Sequence, residues 1–308
     1  MNKHMSTALN SGRRLLSKLS LVLMAILVSG GAGLVLSPTA SAASGHSKTT
    51  TYRIKGVSVI NYSPAKKTKK SPIIMIHGGE HGKWAWENWA SYFSRAGYDV
   101  YAFDWYNHGD SVNLPQQEFI KRSLVDVAHH ELKTVIQHVG RKPILVGHSM
   151  GGLVAAVYAS EAPVEKLVLL TPVMPAIVKP DPVPLPVDMT KPYPVIPYEQ
   201  AKQLFFATLS DKEARRAYAQ LVPESPQAVL ESTQWTVDVN LKAIKAPKLL
   251  FATEFDILTP AVSEEKYAKM LGAEYKFMPG IGHSDILLKS PDWHKAAHYT
   301  LDWLTSKR

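Results

Sequence analysis

A short stretch in the middle of the chain does most to limit how it can fold. Residues 143–147 form an apolar run, and Gly147-His148-Ser149-Met150-Gly151-Gly152 leads from it into a helical segment at 150–160. A chain that passes from a buried strand to a helix around one residue makes a tight, strained turn. Side chains two positions before and after Ser149 would clash there, and Gly147 and Gly151 carry none. The helix begun by Met150 points its first amides at any negative charge that develops beside the serine. An inert glycine-rich turn would have the same composition. The strand before and the helix after make Ser149 a candidate nucleophile.

This strand–turn–helix is one of a series. Strands are expected at 52–62, 72–77, 98–104, 143–147 and 166–171, with a lysine-rich loop at 65–71 and a helix at 84–96 that ends at Gly97. Within 116–139, Ile120, Leu124, Val127, Ala128, Leu132, Val135, Ile136 and Val139 share one helical stripe. Strands alternating with helices predict an α/β domain with a mostly parallel, doubly wound sheet. The rhythm fails at Pro172. Nine prolines between 172 and 197 exclude regular helix and central strand. Three or four short helical pieces are expected within 198–240. The pattern then resumes with strands at 247–253 and 274–278 and helices at 260–271 and 291–305. The core therefore reads as two parts, 43–171 and 246–308, separated by a Pro-rich helical cap insertion at 172–245. An insertion at strand ends of such a sheet lies over the ligand crevice.

Residues 1–42 read as a signal peptide. Lys3, Arg13, Arg14 and Lys18 precede an apolar run that starts at Leu19, and Ala40-Ser41-Ala42 supplies the small residues of a cleavage site. Cleavage near Ala42 and secretion are the expectation. An N-terminal membrane anchor is the alternative, although 19–36 is short for a span and holds three glycines. The formal charge is +9, of which the leader contributes four and Lys66, Lys67, Lys69 and Lys70 another four. The remainder is nearly neutral, so no basic face for nucleic acid is expected. The chain has no cysteine, which excludes disulfides, thiolate zinc sites and thiol nucleophiles.

A serine hydroxyl needs a base, and the base needs an acid to orient it. Among 12 histidines, His283 lies in Gly280-Ile281-Gly282-His283-Ser284-Asp285, just past the last expected strand. His129 and His130 fall within a helix, and His294 and His298 on the terminal one. Asp256 follows the strand at 247–253 and precedes a helix. Glu254 is its nearest competitor, and Asp104 ends an earlier strand.

Taken together, these motifs resemble the α/β-hydrolase-fold serine hydrolases, the group that includes bacterial esterases and lipases. The order Ser149, Asp256, His283 is that superfamily's chain order. The resemblance spans about 52–305. Residues 250–260 are similar to the family's strand–G-x-x-D-x-x-x-P segment, with Thr253 where glycine is commoner, and Gly280 to His283 matches its G-x-G-H. His77-Gly78-Gly79-Glu80-His81-Gly82 is similar to its H-G-x loop, which implies that the Gly79 N–H joins that of Met150 in an oxyanion hole. Lys83-Trp84-Ala85-Trp86 continues a pattern seen in small-substrate esterases and plant methylesterases. Trp84 and Trp86, with Phe205 and Phe206 from the insertion, are candidates for a substrate pocket; core packing is the other reading. Residues 104–111 are similar to a D-x-x-G-x-G-x-S loop, with Asn107 at its first glycine, and are read as scaffold.

The resemblance implies hydrolysis of a small-molecule or lipid carboxylic ester through an acyl-enzyme. Ser149 would be the nucleophile, His283 the general base and Asp256 its orienting acid. No metal or cofactor is expected; His77, His81 and His108 each fall in a loop motif that explains them without one. Lipase, lysophospholipase, lactonase, peptidase and perhydrolase chemistry remain open on the same residues. A binding protein on a hydrolase scaffold is a different class. Peripheral contact with a membrane is a further expectation, and the oligomeric state is left open.

Overall fold

Burial on both faces explains why the central strands are apolar without alternation. In the strand Ile73–Ile76, Ile74 and Ile76 enter one apolar layer, while Ile73 and Met75 enter the opposite one. Leu145 and Val146 divide in the same way, as do Leu169 and Leu170. The computed structural model describes residues 48–306; the leader at 1–42 lies outside them.

Eight strands form one sheet: β1 (Lys48–Ile54), β2 (Val57–Ser63), β3 (Ile73–Ile76), β4 (Val100–Phe103), β5 (Ile144–His148), β6 (Lys166–Leu170), β7 (Lys248–Thr253) and β8 (Glu274–Met278). Their order is β1-β2-β4-β3-β5-β6-β7-β8. β1–β2 and β2–β4 are antiparallel, and every other pair is parallel. The order reverses around β3: the chain moves outward to β4, then returns to lay β5 on the other side. The C-terminal ends of β3 and β5 thus meet at a topological switch point, with Ile76 opposite Gly147.

Two expectations are corrected at the level of elements. The single strand expected at 52–62 is a hairpin, because Lys55 (φ 48°) and Gly56 (φ 84°) both adopt positive φ between the paired residues Ile54 and Val57. Two positive-φ residues are what a two-residue hairpin loop needs. The stripe at 116–139 is not one helix. Ser123 and Asp126 form a reciprocal capping box that starts a new helix at Leu124, leaving Ile120 before it. That helix loosens into one wide turn at Ala128–Leu132 before continuing over Lys133–Val139.

Between β6 and β7 the chain runs through helices Tyr198–Leu204, Asp211–Tyr218 and Pro226–Gln234. The proline-rich part before them is an extended strap. Pro182, Pro184 and Pro186 face solvent, while Val183, Leu185 and Val187 turn inward. Scattered hydrogen bonds hold it, among them Val183 N–H to Thr233 O (2.8 Å), Gln234 Nε2–H to Val183 O (3.3 Å), Trp235 Nε1–H to Asp181 O (2.9 Å), and Tyr193 paired with Glu224.

Candidate active site

Sterics dictate the turn after β5. A Cβ at Gly147 would strike the Gly151 carbonyl, and one at Gly151 would strike the carbonyls of Ile76 and His77. With those positions bare, the chain reverses at Ser149, which takes φ 52° and ψ −124°. Positive φ in a residue with a side chain is strained and persists only where neighbours impose it. Here the Ser149 N–H donates to Leu170 O (3.0 Å), and its carbonyl accepts from Val173 N–H and Gly152 N–H (both 2.9 Å). Ser149 is half-buried at the head of the helix Met150–Glu161.

Asp256 and His283 come together from the loops after β7 and β8. Asp256 Oδ1 accepts from the N–H groups of Leu258 and Thr259 (both 2.9 Å), and Oδ2 accepts from Thr259 Oγ1 (2.8 Å). Oδ2 also meets His283 Nδ1 at 2.6 Å. That bond commits Nδ1 to Asp256 and leaves Nε2 as the other ring nitrogen. Two residues beside the elbow fix the histidine's backbone. Thr171 Oγ1 donates to His283 O (3.3 Å), and His148 Nε2 lies 3.1 Å from the same oxygen. Burial, then the neighbouring His283 and His81, hold the His148 pKa well below the usual histidine value, so a neutral ring donates there. Glu254 takes no part; it accepts from the Gly280 N–H at the surface (2.7 Å).

The loop after β3 is held from behind. His77 Nδ1 meets Gly78 O (2.8 Å), while its Nε2 accepts from Trp105 N–H (3.2 Å). Burial and the adjacent His108 keep His77 neutral, which fits one donor and one acceptor nitrogen. A trans amide points its C=O and N–H in opposite directions. Anchoring Gly78 O therefore turns the Gly79 N–H the other way. His81 Nδ1 anchors Gly79 O likewise (2.7 Å), with burial pushing its pKa down to about 4. Gly79 packs against Met150: a Cβ on it would come within 2.6 Å of Met150 Sδ.

A cavity opens over Ser149. Gly79 and Met150 line one wall, and Val183, Leu185, Ile196 and Trp235 from the insertion line another. Of the four aromatic residues expected in a pocket, Phe205 lines this cavity. The other three are corrections. Trp86 and Phe206 are fully buried in the core layer that also holds Trp89 and Phe93. Trp84 stacks on His81 and borders a separate depression.

The residues at 104–111 brace the site. Asp104 is fully buried and accepts from Lys83 N–H (2.7 Å) and Lys83 Nζ (2.5 Å). One contact of this loop had no counterpart in the sequence reading. His108 Nε2 meets Glu224 Oε2 at 3.0 Å, from 116 residues away, and the same oxygen accepts from Glu80 N–H (3.0 Å). Burial works against a charge on either partner. Their mutual attraction overcomes it, so the His108 pKa is raised and the Glu224 pKa lowered. No motif surrounds Glu224. For His148 and Thr171 the only available signal was their place beside the elbow and at the end of the next strand.

Comparisons with known proteins agree with this fold. A family model described as alpha/beta hydrolase family matches residues 73–294. Methylesterase 9 of Arabidopsis thaliana is 35% identical over 111 residues, which are 35% of this chain and 42% of that protein. Methylesterase 4 of the same plant is 32% identical over 114 residues, covering 36% and 42%. The chain thus spans about two fifths of the length of these curated relatives. Among solved structures, a monoacylglycerol lipase of Paleococcus ferrophilus superposes with TM-score 0.58 at 21% identity, covering 83% of this chain and 98% of the other. An enol-lactonase of Burkholderia xenovorans LB400 gives 0.63 at 13%, covering 83% and 100%. A bacterial membrane phospholipase A gives 0.62 at 22%, covering 84% and 87%. At such identities the likeness concerns the fold.

Proposed function

The chain belongs to the alpha/beta hydrolase family, and on that premise we propose that it is a serine hydrolase cleaving carboxylic esters. The observation that carries this reading is Ser149, held at φ 52° at the head of a helix and in the wall of an apolar cavity. The Asp256–His283 pair on the same sheet edge supports it. The likeness to methylesterases over part of the chain favours ester substrates.

In this reaction Ser149 Oγ attacks the ester carbonyl while His283 Nε2 takes the hydroxyl proton. The carbonyl electron pair moves onto oxygen, and the N–H groups of Gly79 and Met150 receive the negative charge. Each such donor is worth roughly 3 kcal/mol in the transition state. The C–O bond to the alcohol then breaks, with His283 returning its proton to the leaving oxygen. Water, deprotonated by His283, attacks the acyl-enzyme, and the acid leaves as Ser149 recovers a proton. Asp256 keeps the imidazole in the required tautomer and stabilises its charged form. The test is hydrolysis of p-nitrophenyl esters from acetyl to palmitoyl, with Ser149→Ala as the blank, alongside fluorophosphonate labelling of Ser149. A chain that neither hydrolyses nor labels is no serine hydrolase.

One observation favours a lipid ester in contact with a membrane. Phe255, Ile257 and Val262 are 46%, 64% and 76% exposed and flank Leu258 and Thr259, which line the cavity. Isolated surface apolar residues are ordinary, but a group at a site mouth marks an interaction surface. A rate jump when a long-chain ester forms micelles, lost in Ile257→Ser/Val262→Ser, is the expected result. Export with cleavage near Ala42 completes the proposal. N-terminal sequencing of protein from the culture medium checks it.

A further inference from the structure

The cavity over Ser149 is mostly apolar, and two carboxyl groups stand out among its polar lining residues. Glu80 and Glu224 both line it, in the wall that holds Gly79. Glu80 directly follows Gly79, and Glu224 Oε2 lies 3.3 Å from where a Cβ on Gly79 would stand. Both acids therefore lie beside Gly79, whose N–H receives the carbonyl oxygen in the reaction proposed above, on which this inference rests.

These acids differ in how far their bonding is satisfied. Glu224 accepts from His108, from Glu80 N–H and from Ser225 N–H (2.7 Å). Glu80 is 5% exposed, and its Oε2 is buried without any hydrogen-bond partner. Its other contact is the backbone N–H of Ile196. A buried polar atom left unpaired is destabilising. The strained backbone at Glu80 (φ 60°) adds to the cost of placing an acid here. An alanine or leucine would carry neither the unpaired oxygen nor the charge.

We propose that Glu80, supported by Glu224 and His108, is a recognition subsite for a hydroxyl group carried close to the ester carbonyl, so that hydroxy-substituted acyl esters are preferred over their unsubstituted parents. Charge balance selects a hydroxyl over an ammonium group. Glu224 is already neutralised by His108, while burial, then the charge of Glu224, pushes the Glu80 pKa up to about 8. Near neutral pH this favours the protonated form of Glu80. It offers one O–H donor and one acceptor oxygen, the complement of an alcohol. A substrate hydroxyl a few bonds from the carbonyl satisfies the unpaired oxygen. A purely alkyl acyl group leaves it unsatisfied.

The experiment compares kcat/KM for methyl butanoate with its 2-, 3- and 4-hydroxy and 3-amino derivatives, in wild type, Glu80→Gln and Glu80→Leu. Wild type is expected to favour one hydroxy ester about tenfold, the value of one buried hydrogen bond. Glu80→Leu should erase that ratio, and Glu80→Gln should retain most of it. Equal rates for hydroxy and parent esters in wild type overturn the proposal, as does a ratio that survives Glu80→Leu. Preference for the amino ester overturns the assignment to a neutral hydroxyl. Calorimetric titration of Ser149→Ala protein with the same esters reads the preference without turnover. If no ester is cleaved, the hydrolase reading fails on its own. Tighter binding of a hydroxy ester would still support the subsite, and equal binding would dismiss it.

Discussion

The molecule holds two carboxylate–imidazole pairs that are alike in burial and opposite in construction. His283 meets Asp256 at 2.6 Å and His108 meets Glu224 at 3.0 Å, and all four side chains are at most 5% exposed. The difference lies in the other ring nitrogen. His108 also bonds Tyr106 O through Nδ1 (3.0 Å), so both of its nitrogens are held by fixed acceptors and the ring is kept charged. His283 is anchored through Nδ1 alone, and its backbone carbonyl is held by separate residues. A ring whose nitrogens both meet acceptors is favoured in its charged form. A ring fixed at one can take up and return a proton at the other. A carboxylate and an imidazole thus supply a brace in one place and the proposed base in the other.

That contrast is open to breaking. The largest effect is expected at Ser149 itself: Ser149→Ala should lower kcat by about 10⁶-fold, as removal of such a nucleophile does elsewhere. Asp256→Asn keeps the shape and loses the charge, and should lower kcat roughly 10⁴-fold with little change in melting temperature. His108→Gln is the mirror experiment. It leaves Glu224 buried without its cation, so the loss should appear chiefly in unfolding, at about 3–5 kcal/mol. If His108→Gln instead removed activity at unchanged stability, the two pairs would not differ as described.

The smallest expected effect concerns a third acid. Glu264 is fully buried near Asp256, and burial, then that negative charge, raises its pKa well above the usual carboxylate range. It is protonated when folded and ionised when unfolded above its ordinary pKa. The unfolded state therefore binds fewer protons, and this group lowers stability as pH rises. Glu264→Gln should raise the melting temperature by a few degrees at pH 8 and by less at pH 5, as thermal unfolding at both pH values would report.

What the sequence revealed about this site was local. Gly147, Ser149 and Gly151 are informative because a strand–serine–helix turn excludes side chains at fixed offsets. His283 and Asp256 follow from lying just beyond segments read as strands, the one before Asp256 apolar and the one before His283 mixed. The brace was invisible for the opposite reason. His108 and Glu224 are 116 positions apart, and no spacing rule connects a loop after β4 with a residue in the insertion. Trp86 and Phe206 misled because an aromatic residue near a loop motif has the same composition whether it faces a cavity or the second core layer. The hairpin at Lys55-Gly56 was hidden because lysine is uncommon at positive φ. The inward face of the strap was written in the alternation from Pro182 to Val187, but prolines suppress the usual reading of such a run as a strand.

That alternation has a consequence for how such a molecule diversifies. A wall built from Val183 and Leu185 on a strap with scattered hydrogen bonds is free of the register rules that bind a sheet strand to its neighbours. Its prolines also narrow the conformations open to the unfolded chain, which favours the folded strap. Exchanging the inward residues, or lengthening the strap by pairs, remodels the cavity while leaving the elbow and both histidines where they are. The reacting groups and the selecting wall can therefore vary independently, the first conserved in place by the sheet and the second open to change one side chain at a time.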